Sequence, residues 1–438
     1  MSIRKLLSVM ASLGLMASLA SASFHMGDER LKSAEHKSLA KGVSNYWQAK
    51  IDKKKISESF VKVGDSVYKA KKRIKDDTDI LACMDDWKKV FWIATRTGLV
   101  NASKAKKKVS SWPQSGSLFP AFTYVVPSKH SAKKDPYPVI FIIADEGEDP
   151  EEHLAGKWAD TALRAGYILV VVEMKSAIPT SGGKTKRGAK GEPIPVDQWS
   201  KEQGVHAVLF TFGNLTRSDA FAIDYDRVFI AGSGRGFEVA ATAVQWFPYR
   251  FAGLVGRGDV PKDLFSVNMG NVPTMIAGES EGGKQFAEGI DKMEQTATHV
   301  TGDTDAEIVS WLNEQVRNPY PAKIDYQFPT NSTLESYWIL ASGIDVDADG
   351  GARLTAEVDR ETNTINITAI QVGSLEISFS DALVDLSKPV KVIINGETTE
   401  ELLKRNQRLL VDSVFFKRDW GTLRTAQGSY AVKEEVQD

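Results

Sequence analysis

The stretch Ile223-Asp224-Tyr225-Asp226-Arg227-Val228-Phe229-Ile230-Ala231-Gly232-Ser233-Gly234-Arg235-Gly236 decides how this chain is read. Arg227 to Ala231 closes on an unbroken apolar run, which predicts a short strand buried on both faces. Gly232, Gly234 and Gly236 follow at alternate positions, and Phe237 to Trp246 then carries a helical pattern. Strand, sharp glycine turn and helix in immediate succession belong to an α/β architecture.

Outward from this turn the same texture repeats. Phe122 to Val126, Val139 to Ile143, Tyr167 to Val172, Phe251 to Val255, Thr274 to Ala277 and Thr296 to Val300 are further short apolar runs. Helical segments such as Glu152 to Arg164 lie between most of them, so a mostly parallel sheet covered by helices on both sides is expected. Ser181 to Gly191, rich in Gly and Lys, reads as a surface insertion. Beyond Pro321 the pattern becomes that of a small antiparallel β domain. Its strands are Leu354 to Val358, Thr364 to Ala369, Leu375 to Phe379 and Val390 to Ile394, with turns at Asn363 and Asn395-Gly396 and a helix near Thr399 to Leu410. Upstream, Ile80, Met84, Trp87, Phe91 and Ala94 form one stripe of an amphipathic helix, with Cys83 on the same face as a small core residue. Ile56, Phe60, Val63, Val67 and Ile74 mark another helix, and Leu31 to Trp47 a weaker one. Ser103 to Gly116, with its lysine run and Pro113, reads as a linker.

The 438 residues are 42% apolar and 26% charged, the balance of a folded soluble protein, which excludes global disorder. The single cysteine excludes an internal disulfide and a cysteine-based zinc site, and no cofactor motif or metal-ligand spacing is found. A net charge of −2 hides a split: residues 31–110 carry +11 and everything from 111 onward −14. The opposite fields imply internal docking, with weak contact to an anionic surface through the basic helices as the functional alternative. Arg4 and Lys5, the apolar run Leu6 to Leu19, and Ala20-Ser21-Ala22 have the order of a secretory signal with cleavage after Ala22. Export to a bacterial periplasm or the exterior is therefore expected, and nucleic acid is not an expected partner. The expected organisation is a signal peptide at 1–22, a basic helical region at 23–116, an α/β domain at 117–320 and a β-rich domain at 321–438.

The Asp-Arg-Val lead-in, the strand and the glycine turn resemble the nucleophile elbow of bacterial α/β-hydrolases of the esterase and dienelactone-hydrolase type. The resemblance covers roughly residues 120–315, and Ser380 to Val390 looks like the β appendage of some exported members. It implies an α/β-hydrolase fold for residues 117–320. An acting elbow reads G-x-S-x-G, because small residues two before and two after the nucleophile let strand and helix pack closely. Two registers are open here. Gly232 and Gly236 as the small pair put Gly234 at the nucleophile position, which is catalytically empty. Ser233 as nucleophile makes Ala231 and Arg235 the pair, and Arg235 should clash. The first register fits the turn better.

The resemblance also implies where the other parts of a site should lie. The loop after Val139 to Ile143 should donate an oxyanion N–H. In this chain, six of the eight residues from Asp145 to Glu152 are acidic, which opposes a developing oxyanion. A solvated loop is the expectation there, with Glu151 and Glu152 favouring a helix start. Glu281 sits where the family places its acid, and His299, within a strand, is the one histidine near the expected base position. His130, His153 and His206 show no partner pattern. Asp345-Val346-Asp347-Ala348-Asp349-Gly350 matches the first half of a calcium loop, but Ala356 stands at its twelfth position, so a polar hairpin connection is expected. The expected function is that of an exported hydrolase-fold protein without catalysis. It would serve as an envelope binding or structural module, with a ligand of unknown identity in the former active-site pocket. The alternative is an active ester hydrolase using Ser233, His299 and Glu281.

Overall fold

A computed structural model describes residues 29–74, 77–97, 105–115, 119–133, 135–149, 151–175, 193–262, 264, 266–291, 297–300 and 304–433. The signal sequence at 1–22 and the insertion read at 181–191 lie outside the described residues. The chain divides into two compact units, Met1–Ile93 and Ala94–Asp438. Among the described residues no helix is long and apolar enough to cross a membrane.

In the first unit, α1 (Ser33–Asp52) and α2 (Ile56–Lys71) form a helical hairpin, and α3 (Met84–Arg96) begins there and ends three residues past its boundary at Ile93. Lys53 and Lys55 both adopt left-handed backbone to make the tight turn between α1 and α2. Of the stripe read there, Met84, Trp87, Phe91 and Ala94 fall on α3 and Ile80 on a separate short turn, Ile80–Ala82, before it. All five are buried, and Trp47 of α1 stacks on Phe91 with ring centroids 5.8 Å apart. Cys83 is buried, as a small core residue would be. Asp86 is buried, accepts the Arg30 and Leu31 N–H groups, and meets His36 Nε2 at 2.6 Å. Glu29, His36 and Asp86 bring ligand atoms within 4.8 Å of one another, yet the Asp86 oxygens are already taken by these donors.

The second unit holds an eight-stranded sheet among its described strands. These are β1 (Ser110–Trp112), β2 (Phe122–Val125), β3 (Tyr137–Ile143), β4 (Ile168–Val171), β7 (Ile223–Gly232), β8 (Gly253–Arg257), β9 (Thr274–Ala277) and β10 (Ala297–Val300). Their order is β1-β2-β4-β3-β7-β8-β9-β10, and β5 (Met174–Lys175) and β6 (Pro193–Ile194) pair antiparallel as a separate two-stranded sheet. From β4 to β10 every pairing is parallel; β2 runs antiparallel to both neighbours. β1 falls in the segment read as a linker, because a three-residue edge strand is too short to show a period. Alternation along β3 sorts the two faces. Ile140 and Ile142 join the core made with α4 (Lys157–Arg164) and α8 (Asp305–Glu314), while Phe141 packs on Phe212 of α5 (Lys201–Arg217). Helices α6 (Gly234–Trp246) and α7 (Glu281–Asp291) follow β7 and β9. This is an α/β-hydrolase fold.

The β-rich part is built from two sheets that share one core including Tyr326, Trp338, Leu354, Ile365, Ile377 and Val392. The first has the order β11 (Lys323–Gln327), β14 (Arg353–Asp359), β15 (Thr364–Ile370), β17 (Val390–Ile394) and β18 (Glu397–Glu401). The second comprises β12 (Glu335–Ser336), β13 (Ile339–Ser342), β16 (Ser374–Phe379) and β19 (Ala426–Ala431). The β-rich part is not wholly antiparallel, since β15 and β17 pair parallel. The expected helix near Thr399 to Leu410 is corrected to strand β18 and a later helix, α9 (Gln407–Lys417). Asn395 and Gly396, both at positive φ, make the β17–β18 turn. The Asp345 segment is not a hairpin: it links β13 of one sheet to β14 of the other, and its backbone turns on Asp345 Oδ1, which accepts the Asp347 N–H.

Arg317, wholly enclosed, ties this β-rich part to the hydrolase fold. Its guanidinium donates to both Asp419 carboxylate oxygens at 2.8 and 2.9 Å, to Asp226 Oδ1 at 3.0 Å and to the Tyr249 carbonyl. Burial opposes the Arg317 charge, but Asp419 and Asp226 more than offset it and hold its pKa above the ordinary value.

Candidate active site

At the carboxyl end of β7 the chain turns through Ser233, still extended at φ −131°, into Gly234 at φ +48°. A left-handed residue at the corner is what the elbow demands. The close approach lies where the first register put it. A Cβ on Gly232 would stand 2.6 Å from the Gly236 carbonyl carbon, and one on Gly236 would run into the Ile143 carbonyl. Arg235 avoids any clash by pointing outward, where it pairs with Glu238 and donates to the Trp199 carbonyl at 2.9 Å. Gly234 therefore occupies the corner, with its N–H donated to the Asp259 carbonyl at 2.7 Å.

The loop after β3 does something its composition did not announce. Asp145 turns its carboxylate over the corner, and Oδ1 accepts the Arg235 N–H at 2.7 Å. A Cβ on Gly234 would stand within 2.5 Å of that carboxylate. The Arg235 N–H follows the corner residue, the place from which an acting elbow donates to its oxyanion. Here a side-chain anion already holds it, stabilised by the positive end of α6. The expected solvated loop is thus corrected at Asp145. Glu148 supports that turn, because its Oε2 accepts the Asp145 N–H at 2.7 Å.

A cavity of about 260 Å³ opens beside the turn, lined by residues that include Ser233, Glu148, His153, Trp158 and Arg257. His153 Nε2 lies 3.0 Å from Glu148 Oε2, so this histidine has the partner that its sequence context lacked. Arg257 pairs with Asp305 at 3.0 Å and lies over the Trp158 ring, 4.7 Å from its centroid. His206 and His130 are also engaged: His206 stacks on Phe210, and His130 Nε2 faces the Ala222 N–H at 3.4 Å. Burial, with Arg96 and Lys107 adding repulsion, pushes the His130 pKa down to about 4.

Of the residues read as an alternative triad, Ser233 lines the cavity, whereas Glu281 is exposed at the start of α7 and outside that lining. His299 sits on β10 opposite Ile276 of β9. With β8 and β9 between β10 and β7, its backbone is three strand spacings, about 14 Å, from the elbow strand. The His299 side chain lies outside the described part of the structure. Sequence patterns do not single out Asp145, Arg257 or the Glu148–His153 pair as site residues. The acidic run was the available signal, but which of its carboxylates turns inward depends on the loop path.

No protein-family model matches the chain, and no curated protein matches it in sequence. Among solved structures it is similar to a thermostable esterase at 14% identity, over 48% of this chain and 63% of that one, with a TM-score of 0.33. The match thus spans less than two thirds of that esterase. A fluorophosphonate-binding serine hydrolase of Staphylococcus aureus is similar at 10% identity, over 48% of this chain and 98% of that one, TM-score 0.35. Esterase 2 of Thermogutta terrifontis is similar at 11% identity, over 47% and 90%, TM-score 0.33. At these scores the fold class follows from the strand order and elbow geometry of the chain itself.

Proposed function

We propose that this protein is a non-catalytic member of the α/β-hydrolase fold class, acting outside the cytoplasm as a binding module. One observation carries the reading: the Asp145 carboxylate fills the place where a nucleophile side chain on Gly234 would stand, and it takes the Arg235 N–H. A site whose nucleophile position is glycine and whose oxyanion donor faces a resident anion lacks both main terms of acyl transfer. The cavity beside it, with Arg257 and the Glu148–His153 pair on its wall, is the seat for a polar ligand. Export rests on the order of charge, apolar run and small residues in 1–22. The exposed lysines of α1 and α2 would add a weak, salt-sensitive attraction to an anionic envelope surface.

A second reading is favoured by one arrangement: Ser233, His153 and Glu148 line the same cavity, and His153 is paired to Glu148. In that reading Ser233 is the nucleophile and His153, rather than His299, its base.

One experiment separates them. The purified mature protein is treated with a fluorophosphonate probe and assayed on p-nitrophenyl esters beside Ser233→Ala. The binding-module reading expects no labelling and no hydrolysis above that control. Labelling that disappears in Ser233→Ala would overturn it, and loss in His153→Ala but not in His299→Ala would assign the base.

A further inference from the structure

The elbow lies at the carboxyl ends of the parallel strands. A second concavity of about 610 Å³, sharing no lining residue with the cavity at the elbow, lies between α5 and α9. That volume is within the range of small-molecule sites. Its apolar surface comes from Phe119, Phe210, Phe212, Phe415 and Phe416, and Phe416 is 71% exposed. A large aromatic side chain held in water at the mouth of an aromatic groove is surface that a ligand can cover.

The charge is one-sided. Arg217, Arg250, Lys417 and Arg418 line the groove, and among the described residues no acidic one does. Lys417 is committed to Glu335, which also binds Arg424 at 2.5 Å, and Asp419 is committed to Arg317. Those two carboxylates are the acids whose charge acts on Arg250, so neither is available to turn into the groove. Arg217 and Arg418 instead lie over rings, at 4.1 Å from the Phe119 centroid and 5.9 Å from the Phe415 centroid. Arg250 stands 5.7 Å from the Phe212 centroid and 5.3 Å from that of Tyr249, to which its side chain is also hydrogen-bonded, while its buried Nε has no hydrogen-bond partner. Arg217 and Arg418, packed on rings, keep in-plane donors for an incoming anion, Arg250 adds its unpaired Nε, and a carboxylate or phosphate matches such a fork.

We propose that this groove binds a single-chain amphipathic organic anion, one with an acyl or aryl body and a carboxylate head. The body would lie along the phenylalanines and the head would meet Arg217, Arg250 and Arg418. The site is separate from the elbow and stands or falls independently of the function proposed there.

The test uses the full mature protein and 1-anilinonaphthalene-8-sulfonate, an aromatic anion whose fluorescence reports binding. Dodecanoate below its micelle concentration should displace the probe, whereas dodecyltrimethylammonium, with the same chain and opposite charge, should not. Arg217→Glu combined with Arg418→Glu should weaken dodecanoate at least tenfold, and Phe416→Ser several-fold. All three positions are exposed, so unchanged circular dichroism is expected to accompany the loss. Equal displacement by both detergents, or affinity unchanged in the double arginine variant, would overturn the proposal. So would capture by phosphatidylglycerol vesicles with no binding of monomeric dodecanoate, which would make the groove a membrane contact instead.

Discussion

Two aspartates stand at opposite ends of the same sheet and do different work. Asp145, half-buried at the carboxyl end, meets a backbone N–H and the positive end of a helix. Asp419, buried at the amino end, accepts a two-pronged arginine and the Gly421 N–H. Burial raises the Asp419 pKa, but Arg317 more than reverses this and holds it below the usual carboxylate range. The first carboxylate answers a donor that any anion of the right shape could satisfy. The second completes a pair that has no substitute once water is excluded. Loss of the Asp145 carboxylate should therefore change what the elbow can bind, whereas loss of the Asp419 carboxylate should change stability.

The largest effect that could break this contrast is at Arg317. Arg317→Ala removes the cation that Asp419 and Asp226 share and leaves only the charge of Arg250 to act on Asp419, and should cost about 3–5 kcal/mol in urea denaturation. A loss under about 1 kcal/mol, the worth of a solvated pair, would mean that water reaches the site and that the two ends are alike. Next comes the corner. Gly234→Ala must accept positive φ and displace Asp145, at a cost of roughly 2–3 kcal/mol. In Asp145→Gly the same change should cost less by about 1 kcal/mol or more, a coupling that a double-mutant cycle reads directly. Additive losses would show that Asp145 is not what limits the corner.

The smallest effect is a pH window at the amino end of the sheet. His130 is held at about 4, below its ordinary 6.5, so the unfolded chain takes up the proton first. Its contribution to stability is full above pH 6.5, declines as pH falls toward 4, and is constant below. After allowance for solvent screening this amounts to roughly 2 kcal/mol. His130→Gln should flatten the decline between pH 6.5 and 4 in thermal melts. The steeper loss at lower pH, where Asp419 and its unfolded counterpart differ in protonation, should remain.

Much of the fold was legible because its strands are short apolar runs set between helices. Thr274–Ala277 and Val390–Ile394 coincide with the strands found, and Gly232, Gly234 and Gly236 mark the elbow. Elements whose pattern is weak were not. β1 has three residues at an edge, β18 is five exposed or half-exposed polar residues, and α9 starts well beyond its expected position. Such segments take their conformation from a neighbouring strand or a packed face, and local periodicity carries little of that information.

The candidate site divides the same way. Sequence alone placed a glycine at 234, and the spacing of Gly232 and Gly236 sets which residue turns. It also determined that the loop after β3 would be acidic. Tertiary structure alone decided that Asp145 is the carboxylate reaching the Arg235 N–H, that His153 meets Glu148, and that Arg317 finds Asp419 102 residues away. A backbone turn is dictated by its own sterics and is readable locally. A charge acquires its role from whatever the folded chain brings within hydrogen-bond reach, and that is a property of the path between residues rather than of the residues themselves.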